Sequence, residues 1–295
     1  MTESEPSPAE RFAAFDEHRT LLFSIAYRML GTASDAEDIV QDAYLRWQGT
    51  DAADVRSPKS YLSATVTRLA IDHLRSARVR REVYVGPWLP EPLVGVDERD
   101  PLAAVTLAES LSMAFLMLLE RLTPTQRAAF LMREIFGFDS SDVASMLGTT
   151  EANVRQLVRR AKQHVAAERP RFNSNRRTAD ELAERFLGAC TTGNMEVLLH
   201  MLTADAIAYA DGGGKFAAAR RPVVGASRVA RFAASVVAKW RASGEVRLAA
   251  VNGGIGLLLH AGGRLRAVMT IAADDGGRFC RVFIMVNPDK LATRP

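Results

Sequence analysis

Residues 139–165 read DSSDVASMLGTTEANVRQLVRRAKQHV, and this stretch decides the fold of the central part of the chain. Apolar residues recur at helical spacing on both sides of Gly148: Val143, Ala144 and Leu147 before it, and Val154, Leu157, Val158 and Ala161 after it. Because glycine tolerates a positive φ, a glycine between two such stripes is typical of the tight turn that joins two helices. The stretch therefore predicts a helix-turn-helix.

The second predicted helix has a polar and largely basic face opposite its apolar stripe. That face carries Glu151, Asn153, Arg155, Gln156, Arg159, Arg160 and Lys162. Arginine can bind guanine edges or phosphates, and Asn or Gln can bridge adenine, so this helix suits the major groove of DNA. The segment by itself leaves open an ordinary helical hairpin with a solvated basic face.

Composition places the chain among folded proteins with a polyanionic partner. The length of 295 residues indicates two or three domains, each large enough for its own core. The hydrophobic fraction of 48% indicates a folded protein. The net charge is only +4, but residues 68–81 concentrate arginine against the single acid Asp72. Such a local cluster is the electrostatic footprint of a nucleic acid. Its members are Arg68, Arg75, Arg78, Arg80 and Arg81.

Several classes of protein are excluded by what the chain contains. Two cysteines, Cys190 and Cys280, cannot build a disulfide framework and favour a reducing compartment. The N-terminus has no basic start followed by an apolar run, and no apolar stretch could span a bilayer. We therefore expect a cytoplasmic protein without a membrane partner. Spacings typical of haem, zinc, iron–sulfur or nucleotide sites are missing, so we expect no cofactor and no metal.

The N-terminal two thirds of the chain predict two helical domains and a linker. Residues 10–81 keep helical spacing, with a stop at Gly31 and a capping box formed by Ser34 and Glu37. Residues 82–101 hold several prolines and no periodicity, which indicates an extended linker. Residues 102–169 are helical again, with a second capping box formed by Thr123 and Gln126.

Residues 176–295 have a different texture and predict an α+β domain. Helices are expected around residues 179–191 and 195–202. Strands are expected at residues 206–210, 246–251, 256–260, 265–272 and 279–286, with glycine pairs between several of them. Helices followed by an antiparallel meander indicate a curved antiparallel sheet packed over helices.

Residues 15–165 resemble the extracytoplasmic-function (ECF) sigma factors of bacterial RNA polymerase. Residues 26–31 and 35–42, AYRMLG and DAEDIVQD, are similar to the signature of sigma region 2. Residues 61–75 are similar to the helix that reads the −10 promoter element, and residues 122–165 resemble region 4, which reads the −35 element. One departure is Asp142, where the family leads us to expect glutamate. The resemblance implies a multidomain protein with two all-α sigma domains, a region 2 bundle and a region 4 helix-turn-helix.

The resemblance also implies roles for particular residues. Core RNA polymerase, through its β′ and β subunits, and promoter DNA would be the partners. The acidic face of one helix would contact the β′ subunit through Asp35, Glu37, Asp38, Gln41 and Asp42. The −10 element would be contacted by Asp54, Ser57, Lys59, Tyr61, Arg68, Arg75, Arg78, Arg80 and Arg81. The polar face of the helix-turn-helix described above would read the −35 element.

Residues 176–295 resemble a SnoaL-like domain of the NTF2-like fold, and three short strings resemble the SigJ-type subgroup of the family. These strings predict contacts between the linker and the C-terminal domain that regulate sigma activity, with no separate anti-sigma factor. The first string is Trp88, Leu89, Pro90, Glu91 and Pro92. The second is Asp211, Gly212, Gly213, Gly214 and Lys215. The third is Asn287, Pro288, Asp289, Lys290 and Leu291.

Other functions stay open at this point. SnoaL-like folds include small enzymes, and the residues that could act as a base or acid here are His200, Asp205, Tyr209, Asp211 and His260. None shows the spacing of a metal site or a catalytic triad, so we expect no enzymatic activity. A SnoaL-like enzyme with a DNA-binding leader, a repressor that uses only the helix-turn-helix, and a regulator that senses a small ligand are the alternatives.

Overall fold

The computed structural model describes residues 7–50, 55, 57–82, 84–95, 111–168, 176–274 and 276–291. Contacts divide the chain into two units. The first comprises Met1–Arg80, Pro101–Ser110 and Leu118–Ala167, and the second comprises Arg81–Asp100, Leu111–Met117 and Glu168–Pro295. The described part of the predicted linker thus groups with the C-terminal unit.

Helices make up most of the described part of the first 168 residues, and residues 84–95 between them are extended. Region 2 contributes α1 (Pro8–Leu30), α2 (Ala33–Gln48) and α3 (Pro58–Glu82). Region 4 contributes α4 (Met113–Leu119), α5 (Pro124–Phe130), a π-helical turn (Leu131–Ile135), α6 (Ser140–Leu147) and α7 (Glu151–Glu168). Both predicted helical domains are all-α, as the sequence indicates.

Helix ends follow the predicted signals at most positions. Gly31 ends α1 with a φ of 75°, and Thr123 and Gln126 form the expected reciprocal cap of α5. The capping box predicted at Ser34 and Glu37 is wrong, because α2 begins at Ala33 and Thr32 is its N-cap. Ser34 therefore lies inside the helix, and the Thr32 hydroxyl donates to the Asp35 carboxylate instead.

The helix-turn-helix forms as predicted. Gly148 adopts the left-handed conformation, with a φ of 61°, between α6 and α7. Val154, Val158 and Ala161 of α7 are buried, and the opposite face is exposed. On α6 the apolar stripe is shifted, because Met146 is buried whereas the expected Leu147 is only half-buried.

The C-terminal unit is an α+β domain built on one sheet. Its elements are α8 (Arg176–Thr192), α9 (Met195–Met201), β1 (Leu202–Asp211), β2 (Val223–Val224), α10 (Ala226–Ser243), β3 (Glu245–Val251), β4 (Gly254–Ala261), β5 (Arg264–Ala273) and β6 (Phe279–Met285). A short 3₁₀ helix, Pro288–Lys290, follows. The strand order is β2-β1-β6-β5-β4-β3.

The sheet departs from a pure antiparallel meander at one pairing. Strands β3 to β6 are antiparallel neighbours, as expected, but β1 runs parallel to β6. A parallel neighbour requires a crossover, and α10, which the sequence analysis did not predict, lies in the chain between β1 and the meander.

Both faces of this sheet are covered within the C-terminal unit. Residues of α8 to α10, such as Phe186, Val229 and Trp240, form a core with one face. Leu89 of the linker, together with Met113 and Ala114, packs on the other face against a second set of buried residues. That set includes Leu258, Val268, Phe283 and Met285. Cys190 and Cys280 are both free and buried.

Candidate functional site

The predicted polymerase-binding residues lie on α2, and the structure separates them into two groups. Asp35 accepts a hydrogen bond from Thr32 and lies 3.5 Å from the His73 imidazole. Glu37 pairs with Arg19 at 3.1 Å. The remaining three, Asp38, Gln41 and Asp42, are exposed. They are spaced three and four residues apart, so they share one face of the helix and form its accessible acidic surface.

The residues predicted to contact the −10 element lie just before α3 and along it. Asp54 lies outside the described residues, as do the side chains of Arg78, Arg80 and Arg81. Ser57 caps α3, since its hydroxyl accepts from the Ser60 amide at 3.3 Å. Lys59 is exposed and lies 5.9 Å from the centroid of the Phe138 ring.

Tyr61 is held by other side chains of region 2. Its hydroxyl shares a 2.7 Å hydrogen bond with the Thr50 hydroxyl, and its ring lies 5.7 Å from that of Trp47, centroid to centroid. Tyr61 is only half-buried, so one part of the ring remains accessible beside its packing role.

Arg68 is engaged by the helix-turn-helix. Its guanidinium donates to the carbonyls of Met146 and Ser145 at 2.8 and 2.9 Å, at the C-terminal end of α6. Free helix carbonyls carry partial negative charge, which favours a cation at this position. Arg75, by contrast, is exposed and pairs at 3.4 Å with Asp72, which is itself exposed. Of the two, Arg75 is the arginine open to a phosphate in this arrangement.

A buried arginine, Arg127, which sequence reasoning missed, joins the helices of residues 113–168 to those of residues 8–82. The guanidinium of Arg127 donates to the Met29 carbonyl at 2.6 Å and to the Glu120 carboxylate at 2.8 Å. Burial lowers the pKa of Arg127 to about 9, so the group is still protonated at neutral pH. It caps the C-terminal end of α1, where carbonyls lack partners within the helix. No motif marks this arginine as buried.

The predicted DNA-reading face of α7 is exposed as a whole. Glu151, Asn153, Arg155, Gln156, Arg159, Arg160 and Lys162 are all exposed. Two of these cations have local partners: Arg155 lies 3.3 Å from Glu151, and Lys162 lies 2.6 Å from Glu134. Both pairs are solvent-exposed and therefore weak, so they can give way to a phosphate or a base edge.

The three strings singled out in the sequence meet at one buried carboxylate. Asp211, at the end of β1, is 0% exposed. Its Oδ2 accepts from the Leu89 amide at 2.9 Å and from Lys290 Nζ at 2.8 Å. Its Oδ1 accepts from the Tyr84 hydroxyl at 2.5 Å and from the Gly213 amide at 3.0 Å. A buried charge needs such a set of partners, and these come from the linker, the glycine turn and the C-terminal string.

Lys290 is the counter-ion of this carboxylate. Its ammonium is buried, donates to the Leu89 carbonyl at 2.5 Å, and lies 4.1 Å from the centroid of the Trp88 ring. The linker thus supplies a carbonyl and an aromatic face to the same cation. We call the group formed by Tyr84, Trp88, Leu89, Asp211 and Lys290 the linker lock.

Tyr84 connects the linker lock to Asn287 of the third string. The Tyr84 hydroxyl accepts from Asn287 Nδ2 at 2.8 Å while it donates to Asp211. Burial, followed by the contact with Asp211, raises the pKa of Tyr84. Tyr84 lies outside the three strings, and sequence reasoning missed it because the linker has no periodicity.

The glycine turn of the second string allows a close approach. Gly213 has a φ of 60°, and a Cβ there would lie 2.5 Å from the Asn287 side chain. Glycine is therefore required both by the backbone conformation and by the neighbouring side chain. Lys215, at the end of the turn, forms an exposed ion pair with Asp289 at 2.6 Å.

Two further contacts hold the linker against the C-terminal unit. Val94 forms an antiparallel bridge with Val251. Asn252 accepts from the Leu93 amide at 2.9 Å and donates to the Leu111 carbonyl at 3.0 Å. The chain is thus bound to the C-terminal unit at residues 84–94, after region 2, and at residue 111, before region 4.

The residues weighed as catalytic candidates do not converge on an active site. His200 and Asp205 are exposed, and Asp211 is committed to the linker lock. Tyr209 stacks on Phe283 with 5.9 Å between ring centroids. The neighbouring Thr203 side chain lowers the pKa of Asp205, which makes it a weaker base. Among the described residues, no three His, Cys, Asp or Glu side chains gather as a metal site would require.

One cavity of the C-terminal unit adjoins the third string. It has a volume of about 370 Å³ and is lined by Phe216, Arg264, Leu265, Arg266, Val286, Pro288 and Leu291. Two arginines beside apolar side chains would suit a small amphipathic anion. In the described part of the chain, no helix is long and apolar enough to cross a membrane.

Comparison with known proteins assigns the family. Residues 14–80 match the family described as Sigma-70 region 2, and residues 112–165 match Sigma-70, region 4. The chain is 39% identical over 292 residues to the ECF RNA polymerase sigma factor SigJ of Mycobacterium tuberculosis, covering 95% of this chain and 93% of the relative. It is 29% identical over 284 residues to the probable ECF RNA polymerase sigma factor SigI of the same organism, covering 95% and 94%.

A solved structure supports the same assignment over nearly the whole chain. The crystal structure of M. tuberculosis SigJ superposes with a TM-score of 0.76 at 36% identity, and the match covers 95% of this chain and 97% of that one. Together with the region 2 and region 4 matches, this likeness means that the chain belongs to the ECF RNA polymerase sigma factors, which bind core RNA polymerase and direct promoter recognition and transcription initiation.

Proposed function

We propose that the C-terminal domain is a built-in regulator of this sigma factor and acts through the linker lock. The observation that carries the proposal is the buried Asp211 carboxylate, which binds the linker at Tyr84 and Leu89 and pairs with Lys290. An ion pair buried at this depth is a poor source of stability but a strong determinant of which surfaces fit together. Such a contact specifies where the linker docks.

Docking would act on both DNA-reading domains through the chain itself. The bound residues begin two positions after the end of α3 and resume at residue 111, just before α4. A docked linker therefore limits the separations that regions 2 and 4 can adopt, whereas a released linker does not. Regulation consists in shifting this equilibrium.

Transcription assays on variants of the full chain test the regulator. A library of genomic fragments transcribed with core polymerase plus this protein first identifies its promoters. We then expect Trp88→Ala, truncation from Asn287, and removal of residues 176–295 to change promoter output, and the two truncations to differ from each other. Leu248→Ala, at an exposed apolar residue of β3, is the control that should leave output unchanged. Equal output from all variants and the parent would refute the regulatory role.

The same proposal makes a separate anti-sigma factor and an enzymatic activity unnecessary. The fused domain holds the linker itself. Of the candidate catalytic side chains, His200 and Asp205 are exposed, Asp211 is bound to Lys290 and Tyr209 stacks on Phe283, so none of them approaches the half-buried His260 as a catalytic partner would. Since core polymerase and promoter DNA are its partners, the protein would act in the cytoplasm. A small ligand is a second candidate input, because the 370 Å³ cavity is lined by Pro288 and Leu291, on either side of Lys290.

We further propose that Asp38, Gln41 and Asp42 form the contact with the β′ subunit. Carboxylates on one exposed helix face would contribute steering and register to a basic partner surface. Reversal of Asp38 and Asp42 to lysine should weaken binding to core polymerase in a pull-down without unfolding the protein. The matched control reverses Asp16 and Glu17, two exposed acids of α1. An equal reduction of binding in both variants would mean that total charge, and not this face, is responsible.

A further inference from the structure

The excess of positive over negative charge in this chain lies in its last third. Residues 202–295 contain 14 Lys and Arg against 6 Asp and Glu, a net charge of +8. The whole chain has a net charge of only +4, so residues 1–201, which include both promoter-reading domains, have a net charge of −4. A domain whose only role were to hold the linker would need no such excess.

Four of these arginines lie within twelve residues of the chain on either side of the start of α10. Arg220 and Arg221 precede the edge strand β2, and Arg228 and Arg231 lie in the first two turns of the helix. Arg221 is four residues from Gly225, the N-cap of α10, which is at most about 14 Å of extended chain. Arg228 and Arg231 are three residues apart and thus neighbours on one helix face. We call these four residues the basic patch.

The basic patch is exposed and has no acidic partner among the residues that the structure describes. All four side chains are exposed, and none forms an ion pair within the described part of the chain. Two acids of the domain form ion pairs with other cations: Asp289 pairs with Lys215, and Asp211 pairs with Lys290. The N-terminus of α10 adds partial positive charge at the same place.

We infer that the basic patch binds the phosphate backbone of duplex DNA, so that the C-terminal domain is a third DNA-contacting domain of this sigma factor. Arginine is suited to phosphate by its planar, bidentate guanidinium. Duplex DNA, and not an acidic protein surface, is the favoured occupant because the sigma domains of the same chain already bring promoter DNA into reach. Phosphate contacts carry no sequence information, so the basic patch would add affinity without changing promoter choice.

Salt-dependent binding of the full chain to DNA tests this inference. Fluorescence anisotropy of a labelled duplex of about 30 base pairs would be measured between about 50 and 200 mM salt. The patch variant replaces Arg220, Arg221, Arg228 and Arg231 by alanine. The control variant removes the same charge from four exposed cations elsewhere in the domain, Lys239, Arg247, Arg264 and Arg278.

The expected result is a difference in slope between the two variants. Removal of one phosphate-binding cation lowers the slope of log affinity against log salt by about 0.9, so the slope should fall by about 2 to 4 in the patch variant and by less than about 1 in the control. Replacement of the four arginines by lysine should retain most of the slope, which separates charge from misfolding. Circular dichroism confirms that each variant is folded.

Three outcomes would overturn the inference. Equal slopes for the patch and control variants would mean that the total charge of the domain matters and its placement does not. An unchanged slope in both variants would mean that the domain does not bind DNA. Loss of binding to core polymerase without DNA, in the patch variant alone, would assign the basic patch to an acidic protein surface instead. The inference uses the family's promoter binding and does not depend on the linker lock.

Discussion

Replacement of Lys290 by methionine should release the linker from the C-terminal domain. Methionine is unbranched like lysine and only one atom shorter, but it leaves the Asp211 carboxylate, which is 0% exposed, without its counter-ion at 2.8 Å. Removal of one partner of a buried pair costs about 3–5 kcal/mol. We expect the lower half of that range, because Tyr84, Leu89 and Gly213 would still donate to the carboxylate.

Asp211→Asn supplies the second arm of a double-mutant cycle. Asp211→Asn alone leaves the buried Lys290 ammonium without a charge partner and should also destabilise docking of the linker by about 3 kcal/mol or more. The double variant carries no buried charge and should therefore be less destabilised than the sum of the singles, with a coupling of about 2 kcal/mol or more.

Hydrogen exchange of the linker is the appropriate assay, because a chain with several domains does not unfold as a two-state system. The Leu89 amide donates to Asp211 and is a direct probe of the contact. A destabilisation of about 3 kcal/mol corresponds to a fall in protection of about 100-fold.

The matched control is Lys215→Met, the same substitution in an exposed pair with Asp289, where both side chains are more than half exposed. A surface pair is worth about 0–1 kcal/mol, so protection of Leu89 should change little. Equal effects of Lys290→Met and Lys215→Met on Leu89 would refute the reasoning that burial makes the linker lock strong.

Three further outcomes are expected. Gly213→Ala should reduce the protection of the linker amides from hydrogen exchange by about 1–3 kcal/mol, since its Cβ would meet Asn287. Gly262 has a similar φ and no atom within 4 Å of an added Cβ, so Gly262→Ala is the control that measures backbone strain alone. Arg155→Ala and Arg159→Ala should each reduce promoter binding by about 1–3 kcal/mol and relax base preference at one −35 position in a footprint series; unchanged preference would mean that the reading helix is misplaced. Because the pKa of Tyr84 is raised in the folded protein, its contribution to stability should be constant below about pH 10 and decline above it, where the phenol ionises in the unfolded chain. Thermal unfolding at several pH values should show this decline, and Tyr84→Phe should remove it.

Local signals in the sequence predicted the parts of the fold that depend on neighbours in the chain. The reciprocal cap of Thr123 and Gln126 and the left-handed Gly148 follow from short-range geometry, and both are confirmed. Four of the five expected strands also matched to within two residues at either end, because glycine turns bound them. Short-range rules fail where two caps compete, as at Thr32 and Ser34.

Long-range features could not be read from the same signals. The parallel pairing of β1 with β6 joins segments about 75 residues apart and requires α10, whose alanine-rich start resembles no cap. The buried position of Arg127 depends on the Met29 carbonyl, 98 residues away in sequence. Side chains that are polar in type but buried by tertiary packing leave no periodicity, since they interrupt the apolar pattern that defines a core.

The geometry of Arg68 ties promoter binding to the packing of the sigma domains on each other. This arginine belongs to the helix that would read the −10 element, yet its Nε and one Nη2 donor are bound to the Met146 and Ser145 carbonyls of the helix-turn-helix. A phosphate that took these two donors in a bidentate contact would have to displace the carbonyls, so that contact and this packing of α6 exclude each other. Breaking each charged hydrogen bond costs about 1.5–3 kcal/mol, which polymerase and DNA contacts must offset before region 2 can bind the promoter. Under the regulation proposed above, release of the linker would change the free energy of that exchange.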